Sequence, residues 1–122
     1  MARILIVDDE AGIRALLSAI LRKAGFEVEE ASNGTEVLRL HQERPFDLII
    51  TDIVMPEKEG LEMIRELCRT DPGIKIIAIS GSGKDHADHY LQLAEAFGAA
   101  QVLAKPFSGQ DLLAAVHRVL GE

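Results

Sequence analysis

The chain has a single cysteine, Cys68, no excess of basic residues, and no apolar run near the roughly 20 residues needed to cross a bilayer. Each shortage removes a class of function. One cysteine cannot close an internal disulfide, so nothing calls for an oxidising compartment. Thirteen Lys and Arg against twenty Asp and Glu leave a net charge of -7, the wrong sign for neutralising nucleic-acid phosphates, and direct nucleic-acid binding is not expected. Arg3 alone stands before the first apolar run, which is not a secretory signal. A cytoplasmic protein with no membrane attachment is the expectation. What is present, 122 residues of which 48% are hydrophobic and 27% charged, suits one soluble domain with its own core.

The apolar pattern switches between short continuous runs and helical spacing. Strand-like runs are Ile4 to Val7, Phe26 to Ala31, Phe46 to Thr51, Ile74 to Ser80 and Gln101 to Ala104. Between them lie helical stretches. The first places Ile13, Leu16, Leu17, Ile20, Leu21 and Ala24 at steps of three and four, with Gly25 as its stop. A second carries Val37 and Leu38 and ends before Pro45. Leu61, Ile64, Leu67 and Cys68 mark a third, closed by Asp71-Pro72-Gly73. Tyr90, Leu91, Ala94 and Phe97 mark a fourth. The last opens on Ser108 and Asp111, spaced as a capping box, and buries Leu112, Leu113, Val116 and Leu120. Strands apolar on both faces, each followed by a helix, predict a parallel sheet covered on both sides. The expected fold is α/β: a flavodoxin-like, doubly wound, five-stranded parallel sheet with strand order 2-1-3-4-5 and five helices. The alternating "FEVEEAS" suits the second strand to an edge.

In such sheets ligands bind beyond the carboxyl ends of the strands, where the winding reverses. The residues at those ends are Asp8, Asp9 and Glu10 after the first run, Asp52 after the third, Ser80 after the fourth and Lys105 after the fifth. Two carboxylates about 4 Å apart repel by roughly 4 kcal/mol at the effective dielectric of a partly buried site. The convergence of Asp8, Asp9 and Asp52 therefore calls for a divalent cation, and an oxygen-only set suits Mg²⁺. Mg²⁺ beside a carboxylate, a hydroxyl and a lysine is equipment for phosphoryl transfer, with Asp52 as nucleophile, Ser80 as donor and Lys105 as point charge. Singly, each residue has a plainer reading: first-turn acids or an N-cap for Asp8, Asp9 and Glu10, a turn residue for Asp52, a loop hydroxyl for Ser80, a solvated lysine for Lys105. Their joint placement at four strand ends favours the site.

From "ILIVDDE" through "DLIITDIVMPEKEG" and "IIAISGSG" to "VLAKPF", the chain resembles the receiver domains of two-component response regulators, of the stand-alone, chemotaxis-regulator-like kind. The resemblance runs over essentially the whole chain and implies one receiver domain over residues 1–122 with no output domain. It implies that Asp8 and Asp9 form an acidic pocket, that Asp9 and Asp52 bind Mg²⁺ together with the backbone carbonyl of Val54, and that Asp52 accepts a phosphoryl group. The donor would be a sensor histidine kinase, a histidine phosphotransfer protein or a small phosphodonor. Ser80 would be the switch hydroxyl and Lys105 the phosphate-binding lysine, ahead of a cis bond to Pro106, with Pro56 and Gly60 matching the loop after Asp52. The downstream target would meet the face of the fourth helix, fifth strand and fifth helix. Such a domain is a signalling switch, catalysing only its own phosphorylation and dephosphorylation.

There are departures from the family pattern. Val102 stands where an aromatic residue usually swings inward, which shifts the expected switching to backbone and helix movements. Val54 and Ser82 occupy positions where some relatives assist a hydrolytic water, and an apolar Val54 is not expected to shorten the phosphoryl lifetime. The stretch "GSGKDHADHY" carries a few residues more than usual. His86 and His89 read as a solvated helix face rather than metal ligands, His41 and His117 as helix-surface residues, Cys68 as a small core residue, and Tyr90 as a core or partner-binding residue. Two alternatives stay open from these residues: a receiver-like scaffold that works without phosphorylation, and a Mg²⁺-dependent phosphatase of the haloacid dehalogenase type, for which Asp8 and Glu10 replace the expected Asp-x-Asp pair.

Overall fold

The computed structural model describes residues 2–53, 59–80, 92, 94–105 and 107–121, with only the backbone of 59 and 60. The elements alternate: β1 (Arg3–Val7), α1 (Ala11–Lys23), β2 (Glu27–Ala31), α2 (Thr35–Glu43), β3 (Leu48–Asp52), α3 (Glu59–Thr70), β4 (Ile76–Ser80), a helix α4 described at residues 94–97, β5 (Gln101–Ala104) and α5 (Gly109–Leu120). The strands form one parallel sheet in the order β2-β1-β3-β4-β5. This is the expected doubly wound arrangement.

The period of two along each strand divides the core into two layers. Ile4, Ile6, Leu48, Ile50, Ile77 and Ile79 face Leu17 and Leu21 of α1 and Leu112, Ala115 and Val116 of α5. Leu5, Val7, Ile49, Ile76 and Ala78 face Val37, Met63, Ile64, Leu67 and Ala94 on the other side. Glu27, Glu29 and Glu30 of β2 are exposed while Val28 and Ala31 are buried, and the Arg3 guanidinium lies 2.9 Å from Glu29 and 3.7 Å from Glu27. A charged outer edge of this kind discourages further strand pairing.

Helix ends follow the sequence in two places. Gly25, past the end of α1, has a φ of 98° that side chains beyond glycine rarely adopt. Ser108 caps α5 by accepting from the Asp111 N–H at 3.0 Å, while the Asp111 carboxylate accepts from the Ser108 N–H at 3.1 Å.

The structure differs from the sequence reading at several positions. Phe26, Phe46 and Ile74 are buried but precede their strands, and Asp52 is itself the last residue of β3. Leu16 is 58% exposed, because one step along a helix turns about 100° and carries it off the face that buries Leu17 and Leu21. Ser18 is buried instead. Cys68 is only partly buried, with its sulfur against Gly98. His117 is exposed on α5, its ring 5.8 Å from that of Phe26.

His41 is the largest difference. It is buried rather than on the helix surface: its Nδ1 accepts the Phe46 N–H at 3.0 Å, its Nε2 lies 2.9 Å from Asp71 Oδ2, and its ring stacks on Phe46. An Nδ1 that accepts an amide proton leaves Nε2 as the protonated nitrogen. This hydrogen bond holds the Asp71 carboxyl below its ordinary range, helped by the Gly73 N–H. The ring thereby joins α2 to the turn before β4. Replacing His41 with Phe keeps a ring in place but strands the Phe46 N–H, and urea denaturation should show a loss of about 1–3 kcal/mol; unchanged stability would contradict this role.

Candidate functional site

Strand register brings the polar residues together. Val7 pairs with Thr51, so Asp8 and Asp52 follow side by side at the tips of β1 and β3. Asp52 pairs with Ile79, placing Ser80 one residue further on β4. Ser80 pairs with Ala104, and Lys105 comes next, its N–H donating to the Ser80 carbonyl at 2.9 Å. Four strand ends thus deliver Asp8, Asp52, Ser80 and Lys105 to one edge of the sheet. Asp8, Asp52 and Ser80 are all buried.

Lys105 binds the two aspartates together. Its Nζ donates to Asp52 Oδ2 at 3.3 Å and lies 3.8 Å from Asp8 Oδ2. The other Asp8 oxygen, Oδ1, accepts the Glu10 N–H at 2.8 Å, and the Asp8 N–H donates to the Ala31 carbonyl at 3.2 Å. Helix α1 then starts from Glu10 with no side-chain cap and no acid in its first turn. Of the plainer reading, Glu10 does stand at the N-cap position, but its side chain makes no capping bond and none of these acids lies in the first turn.

Burial dominates the ionisation of Asp8. Burial pushes the Asp8 carboxyl from 3.8 up to about 6; the Glu10 N–H opposes the rise, the Asp52 charge adds to it, Lys105 opposes it and Asp9 adds again. Asp8, Asp9 and Glu10 each offer an oxygen, and these three lie within 4.8 Å of one another. Of the residues expected to hold a cation, Asp8 and Asp9 meet in this group, while Asp52 joins Asp8 through Lys105. Glu10, read from sequence as a first-turn acid, is a further member. A group of hard carboxylate oxygen donors fits Mg²⁺.

Val54, Pro56, Gly81, Ser82, His86, His89, Tyr90 and Pro106 lie outside the described residues, as does the extended stretch after Ser80. Val102 is partly buried against the layer containing α3. Sequence reading missed Arg14, whose Nη1 donates to the Asp8 carbonyl at 2.6 Å. The available signal was a cation one helical turn after an acidic run.

The model of the response regulator receiver domain matches residues 4–117. The chain belongs to this family. Receiver relatives include the response regulator receiver protein CpdR of Brucella abortus, 38% identical over 120 residues and covering 98% of both chains. The chemotaxis protein CheY of Thermotoga maritima is also 38% identical, covering 96% of both. The solved receiver domain protein of Clostridium thermocellum superimposes with a TM-score of 0.90 at 34% identity, over 99% of this chain and 95% of that one. No helix among the described residues of this receiver domain is long and apolar enough to cross a membrane.

The Asp8 shift has a definite sign. A carboxyl that titrates near 6 when folded and near 3.9 when unfolded keeps its proton longer in the folded chain. The contribution of Asp8 to metal-free stability is thus highest below about pH 4, falls as pH rises toward about 6 and stays low above it, by up to about 3 kcal/mol. Asp8→Asn keeps an oxygen for the Glu10 N–H and removes this fall. Measured in chelator across pH 4–8, the variant should be more stable than the parent at pH 7; lower stability there would contradict the assignment.

Proposed function

We propose that this receiver domain is a phosphorylation-dependent switch of a two-component phosphorelay, with Asp52 as the phosphoacceptor. The observation that carries this reading is the buried Asp52 carboxylate with the Lys105 ammonium on Oδ2. A carboxylate oxygen attacks the phosphorus of the donor, the bond to the donor's leaving atom breaks with its electron pair, and an acyl phosphate forms on Asp52. Lys105, already at Asp52, moves onto the transferred oxygens as a point charge. Ser80, at the next strand tip, donates its hydroxyl to the same group. Asp8, Asp9, Asp52 and the Val54 carbonyl would hold Mg²⁺, which when bound supplies a dication that offsets the charge of the carboxylates and the phosphoryl oxygens.

The donor is a sensor histidine kinase or a histidine phosphotransfer protein. The added charge biases a two-state equilibrium and alters the face of α4, β5 and α5 toward a downstream protein. The phosphatase alternative expects an Asp-x-Asp pair after the first strand, where this chain has Asp8 and Glu10.

Acetyl phosphate with Mg²⁺, followed by peptide mass mapping, checks the reading. One phosphoryl group should appear on the Asp52 peptide, disappear with Asp52→Asn, and form about 10²-fold more slowly with Lys105→Ala. Absence of label would favour the scaffold alternative, and rapid hydrolysis of many phosphate esters would favour an enzyme.

A further inference from the structure

We infer that Arg14 is a positioning residue for the acidic pocket, holding the main chain of the β1–α1 turn so that Asp8 and Asp9 present their oxygens to a divalent cation. The inference rests on the cation reading above and extends it to a residue that does not touch the cation. Asp8 is tied at four atoms. Its N–H donates to Ala31, its Oδ1 accepts from Glu10, its Oδ2 faces Lys105, and its carbonyl oxygen accepts from Arg14 Nη1 at 2.6 Å. The first three ties set the strand end and the side chain. The fourth fixes the peptide plane that leads into Asp9.

Arg14 reaches this carbonyl from the first turn of α1, where its own N–H donates to the Glu10 carbonyl at 3.1 Å. It closes the turn from both sides. The turn needs such a clamp because α1 has no side-chain cap to set its start. The Arg14 side chain is partly buried, and its Nε lies 3.5 Å from Glu30 on β2. Glu30 thus holds one edge of the planar group while Nη1 bonds Asp8. A fork with donors in fixed directions serves both acceptors at once, whereas a lysine ammonium on a flexible stem serves one at a time. Mg²⁺ demands near-octahedral oxygen placement, and losing a group that orients a ligand typically weakens metal affinity about 10- to 100-fold.

The test is Mg²⁺ affinity by calorimetry on the full chain, together with exchange of the Glu10 amide in metal-free protein. Arg14→Ala should weaken Mg²⁺ binding about 10- to 100-fold and speed Glu10 exchange. Arg14→Lys should recover part of the affinity, and Glu30→Gln should lose severalfold, which keeps the test decisive even if the alanine variant fails to fold. Val116→Ala, a core change in α5, controls for stability: it should lower the melting temperature and leave Mg²⁺ affinity unchanged. If the parent binds Mg²⁺ and Arg14→Ala binds it equally well, or loses affinity only as much as Val116→Ala does, the role of Arg14 is overturned. If the parent binds no Mg²⁺, the cation reading itself fails, and the inference with it.

Discussion

Asp8 and Asp52 share the Lys105 ammonium at the tips of neighbouring strands. Lys105 Nζ stands 3.3 Å from one and 3.8 Å from the other, and both carboxylates are almost fully buried. The register of β1 against β3 brings them together, so the sheet cannot form without confronting their repulsion. Burial, with the Asp52 and Asp9 charges added, pushes the Asp8 carboxyl up to about 6 against the pull of the Glu10 N–H and Lys105. The sheet is stabilised by its two apolar layers, and that stability supports an edge that buries carboxylates.

The two ends of the sheet treat carboxylates in opposite ways. At the amino ends of the strands, Asp47 accepts the Arg3 N–H at 2.7 Å, and Asp71 accepts from both His41 and the Gly73 N–H. There the acids are satisfied, and Asp71 is drawn below its ordinary range. At the carboxyl ends burial outweighs the available donors, and Asp8 is driven upward. An acid drawn down by its donors adds to the frame, while an acid raised by burial marks a candidate site. This contrast supports the proposed site at the carboxyl ends of the strands.

Much of this was legible in the sequence because it depends on periodicity. Alternating strand runs and helical spacing were enough for strand order and the two-layer core, and reading the residue after each run found Asp8, Asp52, Ser80 and Lys105. What stayed hidden depends on partners distant in the chain or on the flank of a helix. His41 looks like a surface histidine until Asp71, thirty residues away, and the Phe46 amide enclose it. Leu16 fits the apolar spacing of α1, yet the sheet and α5 cover the neighbouring arc. Glu10 joined the oxygen group, and Arg14 gained its role, only through the path of the turn after β1, which no spacing rule specifies.

A direct test of the raised Asp8 carboxyl is proton release on Mg²⁺ binding, measured by calorimetry in buffers of different ionisation enthalpy. A carboxyl half-protonated near pH 6 must give up its proton to act as a ligand or neighbour of the cation. Release of about half a proton at pH 6, vanishing by about pH 8, is the expected result. Binding with no proton release at pH 6, or no binding at either pH, would contradict the view that a buried Asp8 with a raised carboxyl belongs to a cation-binding edge.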